Sequence, residues 1–121
     1  MGERIEMLPP NIPQCKRVLY KGLKGEDVEW LQDILNDLND FYKYCPMKTP
    51  FKIDGFFGDD TARVLKFFQY RENLIPDSYF DRATCERLNY RYNDYLDIQN
   101  RTGFGRYKNI GEYLDSRFSE N

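Results

Sequence analysis

Asp54-Gly55-Phe56-Phe57-Gly58-Asp59-Asp60-Thr61 is a turn with two glycines and two aromatics that runs into an apolar-periodic segment closing on Phe67-Phe68-Gln69. A degraded copy follows at Asp77-Ser78-Tyr79-Phe80-Asp81-Arg82-Ala83-Thr84, where the aspartate, the aromatic pair and the threonine recur 23 residues on, from Thr61 to Thr84. Two related turn-plus-helix units in a chain of 121 residues imply one compact helical domain built in part by repetition. Gly55 and Gly58 stand where the backbone changes direction sharply and needs positive φ or close approach. In the copy they are replaced by Ser78 and Asp81. Aspartate tolerates left-handed geometry and caps helices, so the second turn is expected to survive with some strain.

Working outward, Gly25-Glu26-Asp27 opens a helix over about residues 26–41. Val28, Leu31, Leu35 and Leu38 recur at spacings of three and four, with Trp30, Ile34 and Phe41 widening the apolar arc. Glu26, Asp27 and Glu29 fall in its first turn, where the helix dipole favours carboxylates. Tyr42 to Pro50 reads as a loop. Asp59 or Asp60 is expected to cap a second helix carrying Ala62, Val64, Leu65, Phe68 and Phe67, ending near Glu72-Asn73. A third helix holds Ala83, Leu88, Tyr92 and Leu96. Pro9, Pro10 and Pro13 make residues 1–19 an extended arm, although Val18-Leu19-Tyr20 is apolar enough to lie on the core. Thr102-Gly103-Phe104-Gly105 breaks the pattern before a short amphipathic segment with Ile110, Tyr113, Leu114 and Phe118. The expected organisation is an arm over 1–19, a helical domain over 20–96 and an extension over 97–121.

Composition narrows the function classes. The net charge is −2 and basic residues are scattered, so the electrostatic footprint of nucleic-acid binding is missing. Histidine is absent, which removes the commonest general base, the commonest zinc ligand and every Ser-His or Cys-His nucleophile. Aromatics reach 17%, more than a core of this size absorbs, so some are expected at the surface, where tyrosine binds polar ligands. Cys15, Cys45 and Cys85 form no CxxC pair and read as buried or free thiols; the bridges left open are Cys15–Cys45 and Cys45–Cys85. The N-terminus carries no signal-peptide pattern and no run reaches membrane-spanning length. The opening turn lacks the lysine of a phosphate loop, and Asp54, Asp59 and Asp60 depart from the spacing of a calcium loop.

Leu23-Lys24-Gly25-Glu26-Asp27-Val28, then Leu31-Gln32 and Leu35, then Asp54-Gly55-Phe56-Phe57-Gly58 with Thr61, then Phe68-Gln69, resemble the small peptidoglycan-binding domain family. The resemblance covers residues 20 to 89 and rests on several motifs in the right order. It implies an all-α, compact three-helix bundle without catalytic residues, catalytic metal or cofactor, here bearing an N-terminal arm and a short C-terminal helix. Relatives are usually appended to cell-wall hydrolases, and some occur in phage lysins, virion parts and spore proteins. The second turn departs from the pattern at Ser78 and Asp81, which puts backbone-mediated contacts there in doubt.

The candidate ligand residues are Asp54, Gly55, Phe56 and Gly58 on the first turn, Tyr79 on the second, and Arg91 with Tyr95 on the third helix. Phe57 and Phe80 are expected to plug the core beneath their turns, leaving Phe56 and Tyr79 exposed for stacking on a glycan or stem peptide. Asp54 and Asp77 more simply hydrogen-bond turn amides. Trp30 and Gln69 support helix packing. Tyr90, Tyr92 and Tyr95 with Arg87 and Arg91 read as an exposed aromatic-basic patch on the third helix, with Arg91 and Tyr95 on one face, or as a plain solvated surface with a tyrosine rim. Two functions fit. One is a non-catalytic module that binds peptidoglycan, by glycan or stem peptide, at a bacterial cell wall. The other is a structural or assembly subunit of a phage virion or contractile particle, meeting protein partners through residues 1–19 and 106–121. Neither calls for a cofactor, nucleic acid or a membrane span, and export would follow lysis, assembly or another route.

Overall fold

Acidic residues at the start and an apolar stripe behind them make α1, Glu26–Tyr42, one residue longer than expected. The computed structural model describes residues 15–46 and 52–101. α2 covers Asp59–Arg71 and α3 covers Arg82–Arg101; among the described residues there is no strand beyond two isolated bridges. The fold is all-α, as the resemblance implies. No described helix is long and apolar enough to cross a membrane. The amphipathic segment over 106–121, the arm up to residue 14 and part of the 42–50 loop lie outside the described residues.

α1 buries Val28, Trp30, Leu31, Ile34, Leu35 and Leu38 and packs on α2, which buries Val64, Leu65 and Phe68. Phe41 and Phe67, expected on these apolar faces, are both more than a third exposed. Phe41 instead sets its ring edge-on to Tyr42, 4.8 Å between centroids. α1 is capped by Lys43, whose left-handed backbone lets its N–H donate to the Asn39 carbonyl at 2.8 Å. Tyr44 then returns the chain to α2: its hydroxyl donates to Glu72 at 2.6 Å and its ring meets Phe68 edge-on.

The N-cap of α2 is Gly58, so Asp59 and Asp60 do not cap it as expected; they form its first turn. There they pair with Lys21 and Arg63, respectively, and still complement the helix dipole. Asp81, at the position equivalent to Gly58, does cap: its carboxylate accepts the Thr84 N–H at 2.9 Å.

Residues 19–25 run between the two turns and join them. Leu19 exchanges both backbone bonds with Phe80, at 3.2 and 2.8 Å. Gly22 donates to Phe57 (2.9 Å), Phe57 donates to Leu23 (2.9 Å) and Gly25 donates to Gly55 (3.0 Å). Leu19 is fully buried, and Trp30 and Phe80 meet at 6.0 Å between rings. Cys15, just before this strap, is disulfide-bonded to Cys85 at the start of α3. The expectation of unpaired thiols therefore fails for both, and neither bridge left open by the sequence forms. Contacts between residues 70 positions apart are set by the strap's course, which linear spacing does not reveal. Cys45 remains a buried free thiol, and burial pushes its pKa up.

The described chain divides into two units, one ending at Glu86 and one beginning at Arg87. In the second unit Leu88, Asn89, Tyr92 and Leu96 are buried at helical spacing. Tyr92 stacks on Tyr95 at 5.4 Å, and α3 continues to Arg101 past the expected domain edge at 96.

Candidate functional site

Each turn is closed by a glutamine from the preceding helix. In the first, Gln32 of α1 is buried, and its side-chain oxygen accepts the Asp54 and Gly55 N–H groups at 3.1 and 2.9 Å. Its amide nitrogen donates to the Phe56 carbonyl at 2.9 Å and the Thr61 hydroxyl at 3.0 Å, with a longer contact to Asp54 Oδ1 at 3.3 Å. Asp54 Oδ1 also accepts the Phe56 N–H at 3.0 Å. That bond, then the Gln32 amide, holds the Asp54 carboxyl below its ordinary pKa.

The second turn repeats the network from Gln69 of α2. Its oxygen accepts the Ser78 N–H at 2.9 Å. Its nitrogen donates to the Tyr79 carbonyl at 2.9 Å, the Thr84 hydroxyl at 3.1 Å and Asp77 at 3.3 Å. Asp77 accepts the Tyr79 N–H at 3.0 Å. A buried amide that satisfies both strands of a turn fixes its shape, because every group it releases would be left unpaired. Asp54 and Asp77 thus bond turn amides, as expected. Gln69 does more than support helix packing, since it and Gln32 each latch a turn. Their recurrence in the motifs Leu31-Gln32 and Phe68-Gln69 was the signal.

Ser78 keeps the left-handed conformation of Gly55, φ 63° against 77°. A Cβ on Gly55 would come within 3.3 Å of the Gly25 carbonyl oxygen. Ser78 places a Cβ at the equivalent position and turns its hydroxyl to donate to the Ala62 carbonyl at 2.8 Å.

Phe57 and Phe80 are fully buried, whereas Phe56 and Tyr79 are 43% and 50% exposed. Beside the first turn lies an open concavity lined by Lys24, Gly25, Glu29, Asp54, Gly55 and Phe56. It brings together three of the sequence candidates and adds Lys24 and Glu29, which sequence reasoning did not single out as ligand groups. Gly58 underlies the Phe56 ring, 3.3 Å from where its Cβ would be. Tyr79 stands on the second turn, its ring 5.5 Å from that of Tyr20. Arg91 and Tyr95 belong to the unit beginning at Arg87. There Arg91 pairs with Asp94 at 3.3 Å and lies over the Tyr90 ring, while Tyr95 stacks on Tyr92. Among the described residues no group of three or more His, Cys, Asp or Glu side chains is arranged to hold a metal ion.

The model of the peptidoglycan binding domain family matches residues 24–88, which include both turns and both latching glutamines. Five solved chains match. One is the crystal structure of the SleB N-terminal domain, 33% identical, with a TM-score of 0.53 over 63% of this chain and 93% of that one. No curated protein sequence matches significantly.

Proposed function

The chain belongs to the peptidoglycan binding domain family, and on that premise we propose that it is a non-catalytic module holding peptidoglycan against its first turn. The observation that carries this reading is the family match across the latched turns, with a concavity of mixed charge beside the first of them. Peptidoglycan offers sugar rings with apolar faces and stem peptides with carboxylates and an amine. Phe56 presents a half-exposed ring for the former. Lys24, Glu29 and Asp54, which line the same concavity, suit the latter. The latch pre-organises this surface, so little ordering is required when ligand arrives.

Co-sedimentation of the purified protein with cell wall stripped of secondary polymers tests the reading. Retention at micromolar protein is expected, weakened about three- to tenfold by Phe56→Ala, the range for losing one stacked aromatic contact. An absence of retention at that concentration would overturn it.

A further inference from the structure

Aligning the helices on their latching glutamines, Gln32 with Gln69, places Arg63 where α1 has Glu26 and Lys66 where α1 has Glu29. Buried Val28 and Leu31 fall on buried Leu65 and Phe68, so the register is that of the core. Two differences follow on the outer side of the helix. The charge reverses from acidic to basic, and Phe67, equivalent to the fully buried Trp30, is 38% exposed. The second repeat is therefore no mere copy of the first.

Phe67 opens into a groove of about 660 Å³ that is also lined by Arg63, Lys66 and Tyr70, together with Cys45, Pro46 and Pro76. That volume is in the range of small-ligand sites. Tyr70 is 68% exposed, and neighbouring Ile75 is 76% exposed. Lys66 has no acidic partner among the described residues. Among the described residues Arg63 forms an ion pair with Asp60, at 3.2 Å on the surface, a contact weak enough to be exchanged for a ligand carboxylate. Apolar side chains beside two cations match a chain of small apolar residues bearing free carboxylates.

We propose that this groove is a second peptidoglycan subsite, in which Lys66 and Arg63 take a free carboxylate of the stem peptide while Phe67 and Tyr70 cover its methyl groups. The inference rests on the peptidoglycan reading above and adds to it a part of the ligand and a second point of attachment. Two points of attachment on one polymer raise retention well beyond either alone.

The test titrates the protein with a disaccharide-tetrapeptide fragment carrying free carboxylates and with the same fragment amidated at those groups. The wild type is expected to prefer the free acid about tenfold, the worth of one charge-assisted hydrogen bond. Lys66→Glu, a substitution at an exposed position, should reduce that preference severalfold, what remains resting on Lys24 in the first concavity. Tyr70→Ala should weaken both fragments, whereas Phe56→Ala in the first concavity should leave the preference intact. An unchanged preference in Lys66→Glu, with the wall still retained, overturns the second subsite alone. Loss of all wall retention in the wild type overturns the peptidoglycan reading and this inference with it.

Discussion

Gly55 and Ser78 occupy equivalent backbone positions and reach them by different means. Gly55 meets no steric penalty at φ 77° and has a carbonyl close by, whereas Ser78 accepts the left-handed penalty and offsets it with a bond to Ala62. Gly55→Ala should destabilise the protein by about 1–2 kcal/mol, since alanine brings the penalty without a compensating bond. Ser78→Gly should change stability by less than about 0.5 kcal/mol, because relief of the backbone and loss of the hydroxyl bond oppose each other. Urea denaturation of the two variants distinguishes these outcomes. Asp54 supplies a pH-dependent prediction from the same turn. Its folded pKa lies below the ordinary 3.8, so its contribution is present above 3.8 and is lost as pH falls through the lower folded value. Asp54→Asn keeps an oxygen for the Phe56 N–H but no longer titrates. Its stability should therefore fall less steeply than that of the wild type over this acid window, as read by denaturation at a series of pH values.

α1 and α2 are each joined to the turn that follows by one buried amide, and this link was only half legible in the sequence. The apolar periodicity of α1 and α2 revealed the helices, and the paired aromatics revealed which ring of each turn is buried, since Phe57 and Phe80 alternate with exposed Phe56 and Tyr79. Gln32 and Gln69 were visible as recurring letters, but their partners lie at least 22 and 8 residues away, beyond any local periodicity. The cap of α2 was misplaced for a similar reason: two aspartates beside a glycine leave the first helical residue ambiguous until the backbone is seen. Gln32→Ala should destabilise the fold by about 2–3 kcal/mol, because it strands buried turn groups instead of removing them in pairs. Hydrogen exchange should then speed up at Gly55, whose N–H donates to Gln32, and remain slow at Ser78. Gln69→Ala should give the opposite pattern. Uniform acceleration in both variants would mean that the turns open together and that the latches do not act separately.

At the scale of the whole molecule, the least legible feature is the covalent one. Cys15 lies outside the matched stretch 24–88, yet its disulfide to Cys85 ties the start of the strap to the start of α3. Nothing in three widely spaced cysteines indicates which two meet. The pairing depends on Leu19 and Phe80 bridging, which brings the strap to the second turn. A cross-link closing about 70 residues restricts the unfolded chain substantially, by about 4 kcal/mol in the chain-entropy account. That is a large fraction of the roughly 5–15 kcal/mol by which domains are usually stable. Such a bond persists in oxidising surroundings, the setting in which a wall-binding domain would meet its ligand. Reduction, or the paired substitutions Cys15→Ser and Cys85→Ser, should lower stability by up to about 4 kcal/mol in urea melts. Adding reductant to the paired variant should then have no further effect, because Cys45 is already a thiol. If the reduced wild type unfolds at the same urea concentration as the oxidised protein, the backbone bridges of the strap hold the second turn without the cross-link.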